Sequence, residues 1–207
     1  MSKRRLVLAA CALLVPLLAL ALHAGATRIN PNARYEVGER LDELNGVAIY
    51  FNGGVNTTVG RNLTRDGYNL GLRFQCVEFV KRYYFERFAH RMPDSYGHAK
   101  DFFDPRLADG AWNAKRGLLQ FSNGSAGKPR ADDLLVFSPW LFNRYGHVAI
   151  IASVSEDSLE IAQQNPGPFG SARETLPVAY RQGRWFIDQP RVLGWLRLPA
   201  DGEAPSP

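Results

Sequence analysis

Cysteine is nearly absent from this chain, with two among 207 residues. Cys11 lies within an N-terminal apolar run and Cys76 stands alone downstream, so a disulfide framework and a multi-thiolate zinc site are both excluded. Strong charge of one sign is lacking too. Residues 1–26 hold Lys3, Arg4 and Arg5 and no acidic residue; without these three, the 25 basic residues fall to 22 against 20 acidic ones. No Lys/Arg run interleaved with aromatics remains, so no nucleic-acid groove is expected. Internal repeats, a phosphate-binding glycine loop, paired-carboxylate spacing and a metal-ligand cluster are all missing, and the reading includes no cofactor.

One long hydrophobic run is present, from Leu6 to Leu22, interrupted by Pro16. Lys3-Arg4-Arg5 precedes it and Ala24-Gly25-Ala26 follows, the pattern of a signal peptide cleaved before Thr27. At 17 residues the run also reaches the lower limit for a membrane anchor. Leu8-Ala9-Ala10-Cys11 resembles a lipoprotein signal, but the apolar run continues past the cysteine. Each reading exports the rest of the chain and leaves the basic end inside. The expected location is the periplasm or cell envelope, with attachment to the inner membrane as the anchor alternative. The expected organisation is a signal or anchor over 1–26, a lead-in over 27–45, one domain over 46–199 and a polar tail over 200–207. About 180 residues suffice for a single domain with a sizeable core.

Within that domain Val47-Ala48-Ile49-Tyr50-Phe51 reads as a strand ended by Asn52-Gly53-Gly54. Asn56 to Gly71 reads as a loop. Val77, Val80, Tyr84 and Phe88 form a helical stripe from Cys76 to His90, which Met92-Pro93 terminates. Ala99 to Leu107 and Ala111 to Leu119 are read as shorter helical pieces. Strand-like runs follow at Leu134–Phe137, His147–Val154, Leu159–Gln164, Arg184–Ile187 and Val192–Leu198. Helices first and an antiparallel meander second is an α+β order.

Chemistry concentrates on Cys76. At the first turn of a helix, unpaired amides and the helix dipole favour a thiolate, the form that attacks carbonyls. A buried small hydrophobe is the ordinary alternative for a lone cysteine. His147 opens an apolar strand after Gly146 and could take the thiol proton; a strand-end histidine bonded to solvent or backbone is the bland counterpart. Strand alternation puts Gln163 and Asn165 on one face of the next strand, and a hairpin through Ser155–Ser158 could bring either beside the imidazole. Gln75 either caps the helix or helps the Cys76 amide form an oxyanion hole. Glu78 and Lys81 follow on the helix, as paired side chains or substrate contacts.

The segments Gln75-Cys76-Val77-Glu78-Phe79, Gly146-His147-Val148-Ala149-Ile150 and Ile161-Ala162-Gln163-Gln164-Asn165 together resemble the CHAP family of cysteine- and histidine-dependent amidohydrolases and peptidases. Within it the chain looks most like the amidase domains of glutathionylspermidine synthetase/amidases. The likeness runs from about Val47 to Leu198 and includes Asn123-Gly124-Ser125, Asp133–Phe137 and Leu193-Gly194-Trp195. It implies a papain-like cysteine hydrolase, with Cys76 as nucleophile on a helix and His147 as base on the sheet. The family's third member is a glutamate where this chain has Gln163, so Gln163 orients as a neutral amide, Asn165 takes over, or activity is weakened. Lys81 stands where the amidase carries an arginine. The implied function is an exported amidase or peptidase acting on peptidoglycan peptides. The alternatives are a weak or inactive wall-binding module on the same fold, or an amidase of glutathionylspermidine-like conjugates.

Overall fold

The computed structural model describes residues 3–200; the expected polar tail, beyond Ala200, lies outside the described residues. Helix α1 (Lys3–Arg28) contains the apolar run and continues two residues past the expected cleavage point. Strands β1 (Arg40–Leu44) and β2 (Val47–Tyr50) pair antiparallel, as do β3 (Arg61–Leu63) and β4 (Asn69–Leu72). Helix α2 (Cys76–Phe88) follows, then a short 3-10 helix at Ala99–Phe102. Eight more strands complete the domain. They are β5 (Ala111–Asn113), β6 (Leu118–Ser122), β7 (Leu134–Phe137), β8 (His147–Val154), β9 (Ser158–Ala162), β10 (Arg173–Arg181), β11 (Arg184–Ile187) and β12 (Val192–Arg197). They form one antiparallel sheet in the order β11-β10-β9-β8-β7-β12-β6-β5. Among the described residues, no helix is long and apolar enough to cross a membrane, which gives no support to the anchor alternative.

The centre of the sheet is buried on both faces, which explains why β7 and β8 read as continuous apolar runs. Leu134, Val136, Val148 and Ile150 pack on one side with Phe79, Val80, Tyr83 and Tyr84 of α2. Leu135, Phe137, Ala149 and Ile151 point the other way, into a second cluster with Leu159, Ile161, Leu176 and Trp195. Helix α2 ends at Ala89, whose left-handed backbone (φ 52°) returns its N–H to the Tyr84 carbonyl.

Four sequence expectations are corrected. The segment Ala111 to Leu119 is not helical; it forms the β5–β6 hairpin, with Trp112 opposite Leu119. The turn is made by Asn113, which accepts from the amides of Arg116 and Gly117, and Gly117 takes the left-handed φ of 65° that ends a helix rather than extending one. Ala99 to Leu107 is helical only over the single 3-10 turn. The presumed lead-in and the presumed loop before α2 contribute β1, β3 and β4. Strand β10 escaped the reading because Arg173, Glu174 and Pro177 break its apolar pattern; its Pro177 lies on the exposed side of the strand.

Candidate active site

Cys76 is the first residue of α2 and lies in the wall of a cleft of about 430 Å³. Gln75, Asn56, Arg61, Asn69, Tyr96, His98, Asn143 and Tyr145 line the same cleft. The helix start is held from several sides. Gly71 of β4 passes close to the first turn: a Cβ there would lie 3.1 Å from the Glu78 Cα, at a backbone φ of 135°. Gln164, fully buried, donates to the Gln75 carbonyl (3.0 Å) and to Glu78 (2.8 Å), and accepts from the Tyr50 amide (2.9 Å). Glu78 is buried and also accepts from Arg82 (2.7 Å) and Asn62 (2.8 Å), so it pairs internally and does not face substrate.

Cys76 belongs to the buried cluster that contains Val148, the residue after His147 in β8. The backbone amides of Val148, Val77 and Cys76 itself act on the thiol. These amides favour a thiolate, but burial outweighs them and pushes the thiol up to about 11. His147 is 7% exposed. Burial lowers it to about 4; the Gln163 hydrogen bond opposes that and the nearby Arg191 charge adds to it. Burial thus favours the neutral form of both groups.

Gly146 has a reason to be glycine. Its φ is 76°, and a Cβ would lie 2.7 Å from the Phe137 carbonyl oxygen, so no side chain fits between β7 and the entry to β8. That turn presents His147 at the strand end, beside the Phe137 ring (5.7 Å between centroids).

Gln163 is the imidazole's partner. His147 Nε2 and Gln163 Oε1 are 2.8 Å apart. The Gln163 amide nitrogen donates to the Ser171 carbonyl and to Glu174, both at 3.1 Å. Asn165, the other sequence candidate, adopts a left-handed φ of 56° and turns elsewhere. It donates to the Val55 carbonyl (2.9 Å) and to Gln75 Oε1 (2.7 Å). Gln75 in turn donates to the carbonyls of Val55 (3.2 Å) and Thr57 (2.7 Å). Its two amide hydrogens are thus both used, and none is free for an oxyanion; the side chain pins the cleft loop. The helix-start amide of Cys76 is the donor available for that role.

Lys81 is 1% exposed. It donates to the carbonyls of Asn69 and, at 2.8 Å, Ser95, with the Tyr68 ring at 4.9 Å. Burial lowers it to about 8. The ammonium supports the cleft wall from behind instead of meeting substrate. The cation in the cleft is Arg61, exposed, hydrogen-bonded to Asn69 (3.0 Å) and placed 5.5 Å from the Tyr96 ring centre. Among the described residues, none lining the cleft is acidic. Sequence reading missed Arg61 because it lay in a presumed loop, and missed Gln164 because its contacts are long-range. Among the described residues, no group of three His, Cys, Asp or Glu side chains is placed to hold a metal.

Residues 65–165 match the family model described as CHAP domain. The chain is 33% identical over 157 residues to the bifunctional glutathionylspermidine synthetase/amidase of Escherichia coli (strain K12), covering 70% of this chain and 25% of that protein. It is 29% identical over 161 residues to trypanothione synthetase of Crithidia fasciculata, with the same two coverages. To glutathionylspermidine synthase of the same organism it is 28% identical over 142 residues, covering 63% and 20%. The chain thus spans about a quarter or less of the length of these curated relatives.

Proposed function

We propose that the chain is a CHAP-domain cysteine amidohydrolase of papain-like design, on the match of residues 65–165 to the model of that family. The observation that carries the reading is Cys76 in the cleft wall at a helix start, against the strand opened by a histidine whose Nε2 is held by Gln163. His147 takes the thiol proton as sulfur attacks the amide carbonyl. The Cys76 N–H steadies the oxyanion, and the imidazolium returns the proton to the departing amine. Water then hydrolyses the thioester.

For substrate, Arg61 in the cleft wall, with no acidic lining residue among the described residues, favours an amide bearing a carboxylate. The N-terminal apolar run supports export, and export favours peptidoglycan peptides in the cell envelope. A polyamine conjugate, suggested by the names of the relatives, is the competing substrate. Labelled fragments released from purified cell walls by the wild type and not by Cys76→Ala would support this reading; equal release by both would reject it.

A second reading has its own observation. A thiol pushed up to about 11 and an imidazole down to about 4, with an amide where the family has a carboxylate, suit a wall-binding module on the same fold. Retained wall binding without turnover by the wild type would select it.

A further inference from the structure

The structure assigns Glu174 as a positioning residue that acts on His147 through Gln163, an inference that rests on the hydrolase reading for its catalytic meaning. Glu174 lies eleven residues beyond Gln163, on the neighbouring strand β10, and its side chain is exposed. Its carboxylate accepts from the Gln163 amide nitrogen at 3.1 Å, and the Ser171 carbonyl accepts from the same nitrogen at 3.1 Å. The backbone fixes Gln163 as well, its N–H donating to the Ala172 carbonyl at 2.9 Å.

These contacts decide which way the amide points. Turned the other way, the Gln163 oxygen would meet a carboxylate and a carbonyl, two acceptors with no proton between them, while its NH2 faced the imidazole. The oxygen therefore faces His147. An oxygen at 2.8 Å accepts, so neutral His147 must carry its proton on Nε2 and keep its lone pair on Nδ1. A bare amide can present either end to an imidazole; the carboxylate behind it removes the choice. Glu174 also sets a negative charge one amide away from the imidazolium formed during turnover. Among the described residues, the other charged group acting on the imidazole is Arg191. The carboxylate missing from the position next to the histidine is, in this chain, one side chain further out on the next strand.

The test is nitrogen NMR of the full chain labelled at histidine, in wild type, Glu174→Ala and Glu174→Gln, with turnover measured in parallel. The wild type is expected to show His147 as the Nε2–H tautomer. Glu174→Ala should give mixed tautomers, a lower His147 pKa and a fall in kcat of about tenfold with KM unchanged. Glu174→Gln keeps an acceptor towards Gln163 and should restore the tautomer while the pKa stays low. Position 174 is exposed, so both variants should fold. A Glu174→Ala protein with wild-type tautomer and wild-type pKa would overturn the proposal. If the tautomer shifts while the wild type shows no Cys76-dependent turnover, the positioning role stands and the hydrolase reading fails.

Discussion

Replacing Gln163 by glutamate puts a carboxylate beside His147, and the geometry sets both the gain and its limit. The Gln163 oxygen lies 2.8 Å from His147 Nε2, so an introduced carboxylate would face the imidazole at contact distance. An opposite charge that close raises a histidine by about 1–3 pH units, or roughly 1.4–4 kcal/mol in favour of the imidazolium. The second carboxylate oxygen would replace the amide nitrogen, 3.1 Å from Glu174 and 3.1 Å from the Ser171 carbonyl. Acceptors would then meet without a proton, and one carboxylate must take up a proton or turn away. Gln163→Glu alone should therefore realise only part of the rise. The double variant Gln163→Glu/Glu174→Gln supplies a donor at position 174 and should realise most of it. The assay is NMR titration of His147 together with iodoacetamide alkylation of Cys76 between about pH 5 and 10. The wild-type baseline is slow: a thiol at about 11 leaves about one molecule in 10⁴ as thiolate at pH 7. At pH 6 the alkylation rate should rise from wild type to single to double variant, the double exceeding wild type by about tenfold or more. Equal His147 pKa values in the single and double variants would refute the reasoning, because Glu174 would then not engage residue 163.

Other expected outcomes test separate parts of the site. His147 is lowered from 6.5 to about 4 by burial, so the unfolded chain takes up a proton first as pH falls. Stability should be unaffected by this group above pH 6.5 and should drop by about 3 kcal/mol towards pH 4, at 1.36 kcal/mol per unit. Urea unfolding of wild type against His147→Asn isolates that loss, and parallel curves for the two would count against a buried neutral imidazole. Arg61→Ala should raise KM about tenfold for substrates with a free carboxylate near the scissile bond and little for their amidated forms; steady-state kinetics on matched pairs checks this. Lys81→Met should instead lower stability by about 1–3 kcal/mol by removing the ammonium donor from the buried Asn69 carbonyl and from Ser95, which keeps only the Asn69 side-chain amide, with KM nearly unchanged. Gly146→Ala, strained at φ 76° and pressed 2.7 Å from the Phe137 oxygen, should cost about 2 kcal/mol or more in chemical denaturation, and NMR should show His147 displaced from Gln163.

Much of this architecture is written locally. Strands β7, β8, β9, β11 and β12 were legible because apolar runs between turn residues can bury themselves only in a sheet. Cys76 at a helix start and His147 after a glycine were legible as positions, since helix periodicity and the Gly146 turn are short-range properties. The α+β order followed from the same signals. Tertiary structure decided what those signals could not. By alternation Gln163 and Asn165 would share a strand face, but β9 ends at Ala162, and the left-handed backbone at Asn165, with its bonds to Val55 and Gln75, sends one to the loop and leaves the other on the imidazole. Lys81 looked able to reach substrate until β4 and the Ser95 segment closed over it. Glu174 carried no signal at all, because its partner lies across a strand pairing whose register is set by burial and not by neighbouring residues. The sequence by itself determined which groups could react. The packing of β2, β4 and β8 on α2, and of β10 beside β9, decided which were buried and which were held, because desolvation and hydrogen-bond direction exist only once distant segments meet.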